Sequence, residues 1–291
     1  MRFPLSNEKN SIWAGRGALS KIFVSYARSF NHPFKLRIIF FIARSFFRQG
    51  VPMAHTTGAN ILAMPTDFIG WSIIKAGHYE PSTIALMQSL LHEGGTFVDV
   101  GANFGLLSSI AATIQGVSVI SIEAHSGNFE RLRQTRRLSQ RSEKWMLFEC
   151  AISDDKAFVE IEEYKDGNSG MHRVAAVKNK SGANAFRVAC RTLNELIDAE
   201  DVKDIQVLKI DVEGYEFQVL QGLDLARTPR PKNIILEFTD YGIRFGYSRN
   251  DIYNHLAAAG YELQDITGTI KLPSDDFAED NALFIDKKLH N

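Results

Sequence analysis

The chain has 291 residues, of which 45% are hydrophobic and 23% are charged, and its formal net charge is −1. These proportions are typical of an ordinary soluble globular protein, and the length allows one large α/β core with an N-terminal extension. The two cysteines, Cys150 and Cys190, exclude a disulfide framework and a cysteine-based zinc site, which favours a reducing compartment.

Residues 1–50 carry a strong excess of positive charge. They hold nine Lys or Arg and one acid, a net charge of +8, so the remaining residues sum to −9. Within them, residues 34–48 interleave Phe, Ile and Leu with four basic residues, which predicts a helix. The favoured interpretation is that this helix packs its apolar side on the rest of the chain or on a second subunit, and the alternative is that it lies on an anionic membrane surface. Nucleic acid is not an expected partner, because the stretch lacks the aromatic-bearing sheet motifs of RNA-binding proteins.

No segment combines a basic start, an apolar stretch and a small-residue cleavage site, and no uninterrupted apolar run approaches the ~18 residues of a membrane-spanning helix. We therefore expect a cytoplasmic protein, or a peripheral one held at the inner face of the membrane by the basic helix. If the helix packs on a second subunit instead, the protein is a homo-oligomer.

Strand and helix patterns alternate from residue 83 onwards. Helices are predicted at residues 83–92, 106–114, 126–138, 216–221 and 249–259, and strands at residues 96–100, 117–122, 146–152, 205–210, 233–238, 261–266 and 281–285. This alternation, closed by a C-terminal hairpin, predicts an α/β fold with a doubly wound, mostly parallel sheet and an antiparallel edge. Residues 157–164 and 186–191 alternate like additional β structure, beside Gly/Asn/Ser-rich loops at residues 166–170 and 179–184.

The most informative motif is D-V-G-A-N-F-G at residues 99–105, between a predicted strand and a predicted helix. Such a turn presents free backbone N–H groups at the edge of a parallel sheet, where cofactors bind. It departs from the dinucleotide pattern G-x-G-x-x-G, because Asn103 replaces the middle glycine and Asp99 stands two residues before the first glycine. Asp99 would repel a pyrophosphate in a partly desolvated crevice. S-Adenosyl-L-methionine, with its ammonium, its sulfonium and a single carboxylate, fits this charge pattern better.

Acidic residues follow three further strands. Glu123 comes about 20 residues after the glycine turn, the spacing of a ribose-binding acid. The fourth strand of the alternating pattern ends in K-I-D-V-E-G-Y-E at residues 209–216, which puts Asp211 at the carboxyl edge of the sheet beside Asp99. Glu216 is interpreted as stabilising the dipole of the next helix, whereas Glu237, after the fifth strand, is open between substrate contact and structural hydrogen bonding.

With these motifs the chain resembles the FkbM-type S-adenosylmethionine-dependent methyltransferases. The resemblance is carried by D-V-G-A-N-F-G at 99–105, Glu123, A-I-S-D at 151–154, T-L at 192–193, K-I-D-V-E-G-Y-E at 209–216 and L-E at 236–237. It predicts a methyltransferase domain at residues 77–291, preceded by a basic, partly helical extension at residues 1–76. The chain departs from the family at Ala124, where the family usually has Pro after the ribose-binding acid.

The resemblance implies a Rossmann-like class I methyltransferase sheet of seven strands and O-methylation of a hydroxyl, often on the sugars of surface glycans or on polyketides. It also implies the cofactor contacts. Gly101, Ala102, Asn103 and Gly105 are expected around the methionine part, Asp99 near the ammonium, Glu123 and Ala124 at the ribose, Cys150, Ala151 and Ile152 beside the adenine, and Asp211 at the methyl-transfer end.

A base is also expected, since a sugar hydroxyl is a poor nucleophile until its proton is removed. The candidates are Asp211, Glu213 and His172, with His78 and Glu80 from residues 77–80, while His125 and His55 rank lower. A divalent metal beside Asp211 stays open, although no spacing predicts one.

Two other classes of function remain alternatives. A nicotinamide-dependent oxidoreductase would share the sheet, and a non-catalytic, membrane-associated scaffold would retain the fold. The acceptor is a small molecule or a glycan, and we expect residues 166–184 and the N-terminal extension to select it.

Overall fold

The computed structural model describes residues 12–154, 157–162, 173–175 and 185–288. The candidate base His172 and the predicted loops at 166–170 and 179–184 lie outside these described residues. The strands are β1 (Trp13–Gly15), β2 (Val51–His55), β3 (Asn60–Ala63), β4 (Gly95–Val100), β5 (Val117–Glu123), β6 (Trp145–Glu149), β7 (Ala151–Ile152), β8 (Phe158–Glu162), β9 (Arg173–Val174), β10 (Ala185–Arg191), β11 (Ile205–Ile210), β12 (Pro231–Glu237), β13 (Tyr261–Gln264) and β14 (Asn281–Asp286). The helices are α1 (Ala18–Arg28), α2 (Lys35–Phe46), α3 (Phe68–Ala76), α4 (Pro81–Leu90), α5 (Leu106–Ala111), α6 (Ser126–Leu138), α7 (Leu193–Ala199), α8 (Glu216–Gln221) and α9 (Arg249–Ala258).

Seven strands form the central sheet, in the order β13-β14-β12-β11-β4-β5-β6. The strands from β12 to β6 run parallel, and β14 is antiparallel to both of its neighbours. The predicted doubly wound α/β fold with an antiparallel C-terminal hairpin is thereby confirmed. Phe97 of β4 packs in the core on one face of the sheet, and Val98 and Val100 pack in the core on the other. Burial on both faces explains why these strands read as continuous apolar runs.

The predicted strand at residues 146–152 is two strands in the structure. β6 pairs with β5 at the edge of the central sheet, whereas β7, after Cys150, pairs with β10. The latter belongs to a second sheet, in the order β7-β10-β8-β9, which contains the additional β structure predicted from the sequence. An apolar run does not reveal which neighbour a strand pairs with, so the change of sheet left no signal in the pattern.

The N-terminal segment forms a small antiparallel sheet, in the order β1-β2-β3, with α1 and α3 packed against it. Trp13 and Ile73 are fully buried in the same core cluster as Phe97 of the central sheet. The guanidinium of Arg28 on α1 donates hydrogen bonds to the carbonyls of Trp13 and Ile74, each at 2.8 Å. The predicted basic helix is α2, and among the described residues no helix combines the length and apolarity needed to cross a bilayer.

A buried chain of polar side chains connects the central strands to the start of the cleft. Trp145 Nε1 donates to Ser121 Oγ at 2.7 Å, and the hydroxyls of Ser121 and Ser108 are 2.6 Å apart. Ser108 in turn donates to Asp99 Oδ2. All four side chains are buried, so water cannot reach their polar atoms and they depend on one another for hydrogen bonds. The chain therefore fixes the position of the Asp99 carboxylate.

Replacing Ser121 tests this buried chain. Ser121→Ala leaves the Trp145 indole N–H and one side of the Ser108 hydroxyl without their partner, and we expect the free energy of unfolding to fall by about 1–3 kcal/mol. The measurement is urea denaturation. Ser118→Ala, a half-buried serine on the same strand, is the matched control and should change the value by less than about 0.5 kcal/mol. Equal losses in the two variants would contradict the assignment.

Candidate active site

A cleft opens at the carboxyl edge of the sheet, where β4, β5 and β11 end. The predicted site residues that line it are Asp99, Gly101, Ala102, Asn103, Glu123, Ala124, Cys150, Ala151, Ile152, Asp211 and Glu213. They come from four separate segments of the chain, and the parallel topology brings them to one edge. The sequence analysis did not assign Phe68, Ile69, Lys209 or Tyr215 to the site, and the structure places all four in the wall of the same cleft.

Gly105 is the predicted cofactor contact that the described cleft wall does not include. Its φ is +86°, and a Cβ at this position would lie 2.6 Å from Leu132 Cδ1, inside the interface with α6. The glycine allows the turn to lie close to α6, and its expected contact with the cofactor stays a prediction. Of the candidate bases, His78 is exposed outside the wall and His55 is buried in the N-terminal sheet.

The glycine turn is held against β5 and against the end of β11. The N–H groups of Gly101 and Ala102 both donate to the carbonyl of Ile122 at 3.0 Å. A Cβ on Gly101, whose φ is +84°, would lie 1.8 Å from the carbonyl oxygen of Asp211, so only glycine fits there. The expectation that the turn offers free N–H groups is wrong for these two residues, because backbone donors beside a neighbouring strand are satisfied by that strand first.

Glu123 supports two turns with one carboxylate. Its Oε2 accepts the N–H of Asn103 and its Oε1 accepts the N–H of His125, each at 2.8 Å. Burial raises the pKa of Glu123 to about 7, and these backbone hydrogen bonds oppose the shift. An ionised carboxylate offers about four acceptor positions, so two remain for hydroxyl groups of a ligand.

Asp99 is buried at the tip of β4, where it accepts the hydrogen bond from Ser108. Burial raises the pKa of Asp99 to about 6, while the Ser108 hydrogen bond and the charge of Lys209 lower it. A cationic ligand beside this carboxylate would stabilise its ionised form, which protein donors alone stabilise incompletely.

Lys209 is the central charge at the far end of the cleft. Its side chain is 1% exposed, and its Nζ donates to Asp211 Oδ2 at 3.1 Å. Burial opposes the charged ammonium, but Asp211, Glu80 and Glu237 outweigh that effect and raise the pKa of Lys209. Asp211 is 36% exposed, so its carboxylate reaches the open cleft while it stays paired with the lysine.

Two neighbouring carboxyls are driven towards their protonated forms. Burial raises the pKa of Glu80 to about 7, and repulsion from Asp211 and Glu279 adds to the shift. Burial and then Asp211 raise the pKa of Glu237 to about 10. At neutral pH Glu237 is therefore protonated, and the Lys209 ammonium donates its hydrogen bond to Asp211. Glu80 also has a φ of +46°, a conformation that is rare for a residue with a side chain.

Glu216 is structural in this arrangement. Its Oε1 accepts the N–H groups of Val212 and Gly214 at 3.2 and 2.9 Å, so it closes the turn after β11. Burial raises the pKa of Glu216, and these hydrogen bonds lower it. The sequence interpretation placed Glu216 outside the catalytic set, and its contacts agree with that interpretation.

An aromatic wall from the N-terminal half borders the acidic end. Phe68 at the start of α3 and Tyr79 before α4 meet edge to face, with ring centroids 6.4 Å apart. Burial raises the pKa of Tyr79, and the nearby carboxylates Glu80 and Asp211 raise it further. The sequence analysis named Glu80 but not Tyr79 from residues 77–80, and nothing in the pattern around Phe68 distinguished it from a core residue. On the other side of the cleft, His125 caps α6, where its Nδ1 accepts the N–H of Asn128 at 3.2 Å.

The chemistry of the cleft suits S-adenosyl-L-methionine. Asp99 and Asp211 supply negative charge for an ammonium and a sulfonium, and Glu123 has acceptor positions for the two ribose hydroxyls. Cys150 and Ile152 are buried apolar residues able to flank an adenine ring. In the part of the chain that the structure describes, no group of three or more His, Cys, Asp or Glu is arranged to hold a metal ion.

Residues 99–263 match the model of the methyltransferase FkbM domain, which covers more than half of the chain. Two characterised relatives are similar over part of their length. The hexuronic acid methyltransferase AglP of Haloferax volcanii is 26% identical over 145 residues, 50% of this chain and 56% of the relative. The 31-O-demethyl-FK506 methyltransferase FkbM of Streptomyces tacrolimicus is 27% identical over 180 residues, 52% of this chain and 67% of the relative. The matched region thus spans little more than half of the first relative and two thirds of the second.

One solved structure with a similar chain path is an O-methyltransferase from Bacillus cereus in complex with SAH. It has a TM-score of 0.42 and 12% identity, over 73% of this chain and 84% of that one.

Replacing Glu123 tests its role at the ribose. In Glu123→Ala the ribose hydroxyls lose a charged acceptor and the N–H groups of Asn103 and His125 lose their partner, so we expect affinity for S-adenosylhomocysteine to fall at least ~100-fold. Isothermal titration calorimetry measures the affinity, and circular dichroism checks the fold. Glu149→Ala, whose exposed side chain stands opposite Glu123 on β6, is the control and should bind normally. If Glu123→Ala bound S-adenosylhomocysteine with an affinity near that of the wild type, the role of Glu123 at the ribose would be contradicted.

Raised carboxyl pKa values predict a pH dependence of stability. From about pH 4.5 up to their raised pKa values, about 6 for Asp99 and about 7 for Glu123 and Glu80, these groups hold protons in the cofactor-free native state that the unfolded chain has lost. The free energy of unfolding should therefore decrease as pH rises, by up to about 1.4 kcal/mol per pH unit for each group. Urea denaturation over this range measures the slope, and Asp99→Asn, which cannot titrate, should flatten it. A stability that increases with pH would contradict the prediction.

Proposed function

We propose that this chain, which belongs to the FkbM methyltransferase family and is an S-adenosyl-L-methionine-dependent methyltransferase, transfers the methyl group to a hydroxyl oxygen of a glycan or a secondary metabolite. Family membership supports a methyltransferase over the alternative of a nicotinamide-dependent oxidoreductase. The observation that carries the hydroxyl acceptor is the Asp211 carboxylate, which is partly exposed in the cleft and paired with buried Lys209.

The charge of the cleft supports a neutral acceptor group. Asp211, Glu80 and Glu213 line the end of the cleft where the methyl group would be transferred. A carboxylate presented there would be repelled, whereas a hydroxyl can donate a hydrogen bond to Asp211. The two relatives are named for a hexuronic acid and for a 31-O-demethyl compound, so a sugar and a secondary metabolite are the two acceptor classes proposed. In a hexuronic acid, the carboxylate would point away from this end.

The mechanism follows from the residues around Asp211. When bound, the cofactor supplies an electrophilic methyl group for in-line displacement. Asp211 accepts the hydroxyl proton as the oxygen attacks, and the hydrogen bond from Lys209 orients the Asp211 carboxylate. The rings of Phe68 and Tyr79 limit the access of water and orient the acceptor, which supplies much of the rate. His172 and Glu213 remain candidates for the base, and the same experiment tests Glu213.

The proposed cofactor contacts keep the roles given by the motifs. Glu123 binds the ribose, Cys150 to Ile152 flank the adenine with Ala124 at the adjoining turn, and Asp99 faces the ammonium. Gly101, Ala102 and Asn103 shape the wall around the methionine part. The proposed location is the cytoplasm, and no nucleic acid is a partner in this proposal.

Asp211→Asn tests the base. The amide preserves the hydrogen bond from Lys209 but cannot accept the proton, so kcat should fall by about 10²–10⁴-fold while the affinity for S-adenosylhomocysteine stays within threefold. The assay measures S-adenosylhomocysteine released with p-nitrophenyl glucuronide and with the corresponding neutral glucoside as trial acceptors, and NMR locates the new methyl group.

Glu213→Gln and Glu80→Gln measure the competing candidates. A kcat that rises with a midpoint near pH 7 in the wild type, and loses that dependence in Glu80→Gln, would move the base to Glu80, whose pKa is raised to about 7 by burial. Methyl transfer to amines but to no hydroxyl acceptor would contradict the proposed reaction.

A further inference from the structure

Large apolar side chains are concentrated on the exposed side of α1, α2 and the turn between them. Among the described residues, sixteen large hydrophobic side chains are exposed, and ten of these lie between residues 12 and 46. The most exposed is Phe30 in the turn, at 79%. Isolated exposed apolar residues are ordinary, but ten within 35 residues of sequence are more than a single surface position explains, and such a concentration points to an interaction surface.

The outward side of α2 combines aromatic and basic side chains. Lys35, Ile39 and Ala43 form its buried stripe, at the four-residue spacing of one helix face. On the opposite side Phe41, which is 70% exposed, lies one turn from both Arg37 and Arg44. Both arginines are exposed, and the guanidinium of Arg37 lies over the ring of Phe34, 5.9 Å from its centroid.

α1 extends this surface with the same chemistry. Leu19 and Ile22 are one helical turn apart and both are 67% exposed, with exposed Lys21 between them. Arg16 and Arg48 line a shallow groove where the start of α1 meets the end of α2. From residue 12 to residue 50 the sequence contains seven Lys or Arg and no acid.

The charges disfavour a second copy of the chain as the occupant. In a twofold dimer the same surface would face itself, which brings two sets of unpaired positive charges together at an apolar interface. The phosphates of a nucleic acid would pair with the basic side chains, but Phe30, Phe41 and Leu19 would gain no apolar environment. An anionic lipid bilayer suits both the apolar and the basic side chains, because the apolar ones enter the boundary between headgroups and acyl chains while Lys and Arg remain beside the phosphates.

We propose that the α1–α2 face, formed by Leu19, Ile22, Phe30, Phe34, Arg37 and Phe41 with the basic residues around them, docks the protein on an anionic lipid bilayer. In this arrangement α1 and α2 lie in the plane of the interface between bilayer and water, and neither helix crosses the bilayer. Docking is independent of the acceptor and of the base proposed above, so it is tested without methyl transfer.

Sedimentation of the full chain with vesicles tests the proposal. We expect binding to phosphatidylcholine vesicles that contain phosphatidylglycerol, weaker binding in high salt, and little binding to pure phosphatidylcholine. Arg37→Glu with Arg44→Glu should weaken binding by on the order of 100-fold, since each basic residue contributes about fivefold and its reversal adds repulsion. Phe41→Ser, at an exposed position, should weaken binding roughly tenfold.

Matched controls come from elsewhere on the surface. Arg133→Glu with Arg137→Glu makes the same charge change at two exposed positions on α6, and Leu272→Ser removes an exposed apolar side chain distant in sequence. These variants should bind vesicles normally, and all variants should keep their affinity for S-adenosylhomocysteine. Equal losses in test and control variants, or binding that does not depend on anionic lipid, would overturn the proposal. So would a dimer in light scattering that Phe41→Ser converts to a monomer.

Discussion

Burial of carboxylates at the ends of parallel strands is the constraint that organises this molecule. A carboxylate removed from water needs hydrogen-bond donors or a positive charge, and the chain supplies them from its own backbone and side chains. Asp99 receives a hydroxyl hydrogen bond from Ser108, Glu123 receives two backbone N–H groups, and Asp211 receives the ammonium of Lys209. These donors stabilise the three carboxylates, and the carboxylate oxygens can still accept hydrogen bonds from a ligand. What remains is a cleft that suits a cationic ligand with two neighbouring hydroxyls.

The alternating core of the fold was predictable because its signals are local. Residues 126–138 and 216–221 form helices with the predicted bounds, and the central strands differ from the predictions by only a few residues at their ends. The N-terminal sheet was not predicted, because its strands are three to five residues long and pair antiparallel within a segment dominated by its basic helix. The division of the chain at residues 76 and 77 stays a prediction, although Phe68 from the N-terminal side contributes to the cleft.

The candidate site was predictable where acids follow strands, and less so elsewhere. Motif spacing identified Asp99, Glu123 and Asp211, whose side chains meet at the sheet edge for topological reasons. Lys209 was overlooked because a lysine inside an apolar strand reads as an exposed position, and its burial depends on carboxylates that are distant in sequence. The packing of Gly105 against α6 was not predicted, because the motif does not indicate which helix packs against the turn.

The buried hydrogen bonds that begin at Trp145 have an optical consequence. The indole N–H is connected through two serine hydroxyls to Asp99, so the ring senses the charge state of a carboxylate in the cleft. Indole emission responds to nearby electric fields, and this ring is fully buried with its N–H bonded to Ser121. Of the three tryptophans, Trp145 is therefore the one expected to report by its fluorescence whether the strand tip is protonated.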